Sequence, residues 1–420
     1  MKRAFFLFTF LIPFLLYSQE IIKADALVTP KIAERIITVG GIDADISGFN
    51  NQAIQFAIDA VAKTGGTVKL NSGIYEIISP VRMKSNVTLI GSGKETILKR
   101  GKGIQTKFII DADFGELKLT VKNTDGFEVG MKIQVTDDEN SSCWNVSTAY
   151  ITDITDNILY INIGLIRDYR SDKNGLVSNA SSVIEAIGIE NVTISNLTAD
   201  GNRIENYFAD GCNSAGILIL RSEKVTIDNV HVKDFNGEGI SWQITENVTI
   251  SNSEISGSGN TGLHPGTGSP FTVIEKNDIH HNDRDGLFIC WRVYESRVER
   301  NKIHNNGRFG ICTGHKDTDV IFNGNYIYNN ISDGINLRGE REANAPHRNI
   351  FIGNIIENNT GYGFSVNSPA KDLLLKENIF KNSAKTQKAA IYIYKNGSTP
   401  TLENNQFDEH EMGNLVSEKQ

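Results

Sequence analysis

Glycine followed by an apolar residue recurs along the second half of this 420-residue chain, at Gly216-Ile217, Gly239-Ile240, Gly262-Leu263, Gly286-Leu287, Gly310-Ile311, Gly334-Ile335 and Gly363-Phe364. The steps are 23, 23, 24, 24, 24 and 29 residues. A second row runs in phase, Asn252, Asn277, Asn301, Asn325, Asn354 and Asn378, each after a short β-branched stretch such as Asn247-Val248-Thr249-Ile250. A repeat of this length, with short strands and no helical period, buries its apolar face only by stacking coil on coil. The expected fold is therefore an all-β solenoid. Each coil should turn where Gly or Asn sits, because those residues tolerate left-handed backbone, and stacked Asn amides should hydrogen-bond between coils.

Composition narrows the partners. A 39% hydrophobic, 22% charged chain has enough apolar material for a large core, which excludes a disordered chain. Acids outnumber Lys plus Arg by 50 to 42, so nothing in the charge balance points to nucleic acid. At the N-terminus, Lys2 and Arg3 precede the apolar run Ala4 to Leu16, and Ser18 stands before Gln19. This reads as a secretory signal peptide over 1–18, too short to span a bilayer, and its removal takes the net charge from -8 to -10. No other apolar run is long enough to cross a membrane, so a periplasmic or secreted monomer is expected. Cys143, Cys212, Cys290 and Cys312 show no tight spacing and read mostly as buried thiols. No metal or other cofactor is expected. The one acidic run suited to calcium, Asp137-Asp138-Glu139, reads as a solvated loop.

Residues Asn51 to Lys63 place Ala53, Ile54, Ala57, Ile58 and Val61 on one face of an amphipathic helix, followed by Gly65-Gly66-Thr67-Val68-Lys69-Leu70 and on to Tyr75. Such a helix would cover the open first coil. Together with the coils from about Ile184 to Phe407, these segments resemble the right-handed parallel β-helix superfamily of pectate lyases and related polysaccharide enzymes. The expected organisation is a signal peptide (1–18), an N-terminal cap with first coils (19–100), an irregular β insert or early coils (101–183), and parallel β-helix coils to the C-terminal end (184–420). The third of these breaks the period with alternating stretches such as Lys132-Ile133-Gln134-Val135.

Period-two alternation turns the repeat into a ruler. If the apolar residue after each Gly points inward, the residue before Gly and the second and fourth after it point outward on the same sheet. Those rows hold Glu238, Asp285 and Asp333; His264; and Gln243 and Arg338, with Trp291, Arg292, His315 and Lys316 just beyond the strand ends. Coils stack about 4.8 Å apart, so these residues should share one patch. Five of the eight His lie between 264 and 315, and Trp242 and Trp291 are near, which makes this patch the candidate active site. His280, His281 and His304 fall at coil corners and read as structural. Arg292 and Arg338 either pair with Asp285 and Asp333 or offer their forked donors to a uronate carboxylate.

The superfamily resemblance implies an acidic oligosaccharide or polysaccharide as partner and either hydrolysis by clustered carboxylates or removal of the C5 proton of a uronate. A face mixing His, Arg and Lys with acids fits proton abstraction: a cation offsets the carboxylate charge, and a neutral His takes the proton. His264 is the expected base and His315 the second acid/base, with Lys316 as its alternative and Arg292 as the neutralising cation. Glu238, Trp242, Gln243, Asp285, Trp291, Asp333 and Arg338 are expected to bind substrate. Gly262-Leu263-His264-Pro265-Gly266 and then Cys290-Trp291-Arg292-Val293 are similar to the Gly-x-Asp-Pro-His turn and following Arg of mannuronan C5-epimerases. Pro265 and Arg292 match, whereas Gly266 stands at that family's His and His264 at its Asp. Gly-Leu-His-Pro-Gly and Gly314-His315-Lys316-Asp317 also resemble the β-helix oligosaccharide dehydratases of marine ulvan degradation. The expected function is a carbon-oxygen lyase that dehydrates a terminal uronate to a 4,5-unsaturated sugar. Polysaccharide lyase, C5-epimerase, a hydrolase using Glu238, Asp285 and Asp333, and a non-catalytic glycan-binding solenoid are the alternatives.

Overall fold

The structure, a computed structural model, describes residues 35–418; the expected signal peptide lies outside the described residues. Three long sheets of 13, 11 and 11 strands are built by pairing each strand with its counterpart one coil on. The register is in phase with the sequence repeat: Ile240 pairs with Leu263, Leu263 with Leu287, Leu287 with Ile311, Ile311 with Ile335 and Ile335 with Phe364. All six are fully buried in one core that runs the length of the coils.

The repeating glycines serve close approach rather than turning. None of the seven has left-handed backbone. A β-carbon at any of them would sit 2.6–2.9 Å from a backbone oxygen of the next coil. The left-handed corner residues are instead those just before the Asn row, namely Lys276, Arg300, Gly324, Gly353, Glu377 and Asn404, with φ between 51° and 63°. The expected amide ladder is present: Asn277, Asn301, Asn325, Asn354 and Asn378 each donate Nδ2 to the Oδ1 of the next Asn, ending at Asn405, at 2.9–3.0 Å. Asn252 is not a rung; it takes the left-handed corner at φ 48°, and the backbone of Ser253 donates to Asn277 Oδ1 at 3.0 Å. A second ladder, Asn282, Asn306, Asn330 and Asn359, runs at another corner with 2.9 Å rungs. Both ladders satisfy amides with essentially no solvent contact, which would otherwise be costly to bury.

The helix forms over Asn51–Val61, starting where Asn50 Oδ1 accepts the Ala53 N–H at 2.9 Å. Ala53, Ile54, Ala57, Ile58 and Val61 enter the main core and close the first coil, as expected. Among the described residues no helix is long and apolar enough to cross a membrane.

The aperiodic segment is a folded insert, not a set of early coils. Strands between Gln105 and Ser178 form a six-stranded antiparallel sheet with its own core, including Ile133, Val135, Leu159, Tyr169 and Val177. It docks on the first coils through a buried Lys132–Glu185 ion pair, Tyr150 Oη donating to Glu185 at 3.3 Å, and Gln134 Nε2 donating to the Phe208 carbonyl at 2.8 Å. The acidic run is not simply a solvated loop. Asp137 is buried and accepts the backbone N–H groups of Glu139, Asn140 and Arg170 at 2.6–2.9 Å, so its carboxylate organises the loop.

Candidate functional site

The outward side of the sheet containing Glu238–Gln243, Leu263–Gly266, Leu287–Phe288, Ile311–Thr313 and Ile335–Leu337 forms one wall. Ser241 pairs with His264, Phe288 with Cys312 and Cys312 with Asn336, so the ruler places the outward row correctly. The same ruler counts Trp242 as inward. It is fully buried in the core with Nε1 donating to Thr272 Oγ1 at 3.0 Å, so it cannot stack on a sugar, contrary to expectation.

Glu238 and His264 form a buried pair. They are 4% and 7% exposed, with Nδ1 of His264 3.6 Å from Oε1 of Glu238, while Asn260 Nδ2 donates to that same oxygen at 3.0 Å. Burial disfavours charge on His264, but the adjacent Cys290 and Glu238 outweigh it and hold the imidazole at a pKa of about 10. Burial also raises Glu238 above the usual carboxylate range, with His264 pulling it back. The upward shift on His264 favours its protonated form beside the Glu238 carboxyl group. A raised pKa suits His264 to donating a proton rather than to the neutral base expected of it.

Arg338 is the cation that reaches this wall. Its guanidinium lies 4.8 Å from the Phe288 ring centroid and donates from Nη1 to the Ile289 carbonyl at 3.1 Å. Phe288 in turn packs against His264 at 5.2 Å between ring centroids. To reach back, Arg338 crosses Gly314, where a β-carbon would overlap its Cγ and Nε; glycine is required for this approach. The buried Asp317, 3.7 Å from Arg338, accepts the N–H groups of Gly314 at 2.8 Å and Val293 at 3.2 Å. Burial pushes its carboxyl up to about 6 against the pull of Arg338.

His315 is oriented by a carboxylate. Glu340 Oε2 lies 3.2 Å from Nδ1, and the half-exposed Trp291 stacks on the ring at 4.9 Å and 27°. The tautomer that donates Nδ1–H to Glu340 leaves its lone pair on Nε2. Arg292 and Lys316 are exposed turn residues with φ of 64° and 58° at the rim. The Arg292 N–H donates to the His315 carbonyl at 2.9 Å and the Lys316 N–H to that of Asn344 at 2.8 Å.

Two expected carboxylates are already engaged. Asp285 is buried and gripped by Arg308, with Nε at 2.7 Å from Oδ1, and by the Phe309 N–H. Asp333 accepts the Tyr362 N–H at 2.9 Å and Ser365 Oγ at 2.6 Å. Asp285 and Asp333 thus pair with neither Arg292 nor Arg338, which removes that one of the two readings of the arginines. Gln243 is buried on the wall, donating to Ser241 Oγ at 3.1 Å. Glu238 Oε2, Gln243 Oε1, His264 Nδ1 and Arg338 Nη2 are buried without a hydrogen-bond partner, a concentration of unmet polar capacity on neighbouring coils.

The remaining histidines divide between faces. His280 and His304 stack at 5.0 Å on a different sheet, His304 stacks on Tyr328 at 4.5 Å, and His304 Nε2 is 2.9 Å from Asp278. They lie away from the wall, so the concentration of His between 264 and 315 overstated the patch. Sequence reasoning placed Glu340 just beyond the strand end without a role, and it missed Arg308 and the gathering of Cys143 with Asp210 and Cys212.

A family model described as "Right handed beta helix region" matches residues 174–346 and 318–419, more than half of the chain. The chain belongs to this family. Among solved structures, the right-handed β-helix is similar to the A-modules of the mannuronan C-5 epimerases AlgE4 and AlgE6 of Azotobacter vinelandii. Identity is 18% and 17% and TM-scores are 0.55 and 0.54, over 87% of this chain and 92% and 93% of theirs. At that identity the likeness is one of fold. No curated protein matches the sequence.

Proposed function

We propose that this β-helix is a carbon-oxygen lyase acting on uronate-containing oligosaccharides, dehydrating a terminal uronate of an ulvan-type chain. One observation carries the reading: the same wall presents a paired imidazolium at His264, a guanidinium at Arg338 and a carboxylate-oriented imidazole at His315. These are the three functions that β-elimination needs.

Arg338, with Arg292 at the rim, faces the substrate carboxylate and offsets the charge that develops as the C5 proton leaves. Nε2 of His315 takes that proton. The C5–H electrons become the C4=C5 double bond, the C4–O4 bond breaks, and His264 donates its proton to O4, which departs as water from a terminal residue. Glu238 keeps His264 charged before the transfer, and Trp291 offers a half-exposed ring for sugar stacking. Occupation of Asp285 and Asp333 by Arg308, Tyr362 and Ser365 disfavours a hydrolase, which needs two available carboxyl groups.

The test follows ultraviolet absorbance and mass together, using saturated uronate-terminated oligosaccharides and, separately, intact acidic polysaccharides. Loss of one water with a new unsaturated chromophore is expected. Chain cleavage with that chromophore would keep the elimination but make the enzyme a polysaccharide lyase. Solvent deuterium at C5 without a chromophore would mean epimerisation. Cleavage with neither would overturn the reading, and no change on any substrate would leave a binding solenoid.

A further inference from the structure

Beside the Glu238–His264 pair, three metal-ligating side chains converge from two separate parts of the chain. Cys143 opens the one-turn 3-10 helix Cys143–Asn145 of the insert, whereas Asp210 and Cys212 lie in the loop before the strand Ala215–Leu220. One ligand atom of each lies within 4.8 Å of the other two. A tetrahedral zinc ion with bonds of about 2.0–2.3 Å spaces its ligand atoms roughly 3.5–4 Å apart, so the cluster needs little adjustment to close on one.

The surrounding backbone holds the donors in place. Cys143 has φ 50°, a left-handed conformation that is unfavourable for a residue bearing a β-carbon. Its carbonyl accepts Asn213 Nδ2 at 2.5 Å, tying the insert to the residue next to Cys212. Asp210 Oδ1 accepts the Cys212 N–H at 3.0 Å, which locks the carboxylate to the turn presenting the second sulfur. The Asn213 and Ser214 N–H groups close that turn on the Asp210 carbonyl at 3.0 and 2.8 Å. Such outer hydrogen bonds fix the orientation of metal ligands.

We propose that Cys143, Asp210 and Cys212 form a binding site for a thiophilic divalent cation of the zinc class, with the fourth position open. Two sulfurs and one carboxylate select against calcium and magnesium, which take oxygen sets, and favour zinc. The ion pins the insert to the coils at the edge of the catalytic wall. This proposal is independent of the lyase reading, because metal content is measured without substrate.

The experiment uses the whole mature protein, purified under reducing conditions without chelator and titrated with Zn²⁺ alone. Bound zinc is read by mass spectrometry of the metal, and cobalt substitution by its sulfur-to-metal charge-transfer absorption. One equivalent per chain and a thiolate-type cobalt spectrum are expected. Cys143→Ser and Cys212→Ser should lose stoichiometric zinc, Asp210→Asn should weaken it, and Cys312→Ser, away from the cluster, should retain it. Circular dichroism and Tm check that each variant folds; because Cys143 is exposed, its variant decides the matter if Cys212→Ser does not fold. Absence of zinc binding by the folded, reduced protein would overturn the proposal. So would retention of zinc by folded Cys143→Ser, or an air-purified chain lighter by two hydrogens that never takes up zinc after reduction, which would identify a Cys143–Cys212 disulfide instead.

Discussion

Two histidine-bearing faces of the same solenoid have different fates. On one, His280, His304 and Tyr328 occupy equivalent positions on successive coils, stack ring on ring, and find a carboxylate in Asp278. On the other, Ser241, His264, Phe288, Cys312 and Asn336 succeed one another, and no residue repeats its neighbour. Repetition lets side chains satisfy each other through the stacking that builds the fold. Variation leaves buried polar atoms on Glu238, Gln243, His264 and Arg338 without protein partners. The lesson is that in a stacked fold, unmet polar capacity gathers where the ladder is broken, not where a residue type is most concentrated.

The sharpest way to break this comparison is to truncate one histidine from each face. His315→Ala should lower kcat/KM by about 10²–10⁴-fold, the usual contribution of a positioned general base, while His304→Ala leaves turnover unchanged. Equal losses in steady-state assays would mean that the faces are not functionally distinct. Next, Arg338→Ala should reduce kcat by about 10²–10³-fold. Gly314→Ala should reproduce much of that loss with the fold intact by circular dichroism, because the added methyl displaces the Arg338 side chain.

The pH profile sharpens the assignment of proton donor. With His264 held at about 10, kcat/KM should fall tenfold per unit above about pH 10 as His264 loses its proton. A neutral His264 base would instead keep the rate high there. Stability follows the same sign: a folded pKa raised above the ordinary value of 6.5 stabilises fully below that value and loses its contribution as pH rises to about 10. The Tm difference between wild type and His264→Ala should shrink across that interval.

Smaller effects test the ladders. Asn301→Ala removes a rung, leaving the Ile274 carbonyl and the Asn277 amide without its donor and acceptor, and should cost about 1–3 kcal/mol, read as a lower Tm. His304→Ala should cost under about 1 kcal/mol, since its carboxylate partner Asp278 remains partly solvated. A larger loss from His304→Ala than from Asn301→Ala would reverse the view that amide ladders, not aromatic stacks, hold the corners.

Much of the fold was legible because its physics is periodic. The glycine spacing located the strands, the residue after each glycine located the core, and the apolar face of 51–61 located the cap. The candidate site was legible only as far as alternation reached. His264 and Arg338 were placed on the right face, and counting alone should have excluded Trp242. The ruler could not show that Arg308 occupies Asp285, that Ser365 and the Tyr362 backbone occupy Asp333, or that Glu340 orients His315. Those partners come from off-row residues and loops, whose direction no repeat dictates.

The sequence by itself determined a stacked parallel β-helix, its register and its capped end, because each depends on short-range alternation repeated many times. Only the tertiary structure decided the protonation of His264 and the path of Arg338 across Gly314, together with the meeting of Cys143 with Asp210 and Cys212 beneath the insert. These depend on burial and on contacts between segments up to 70 residues apart, and neither is encoded in a local pattern.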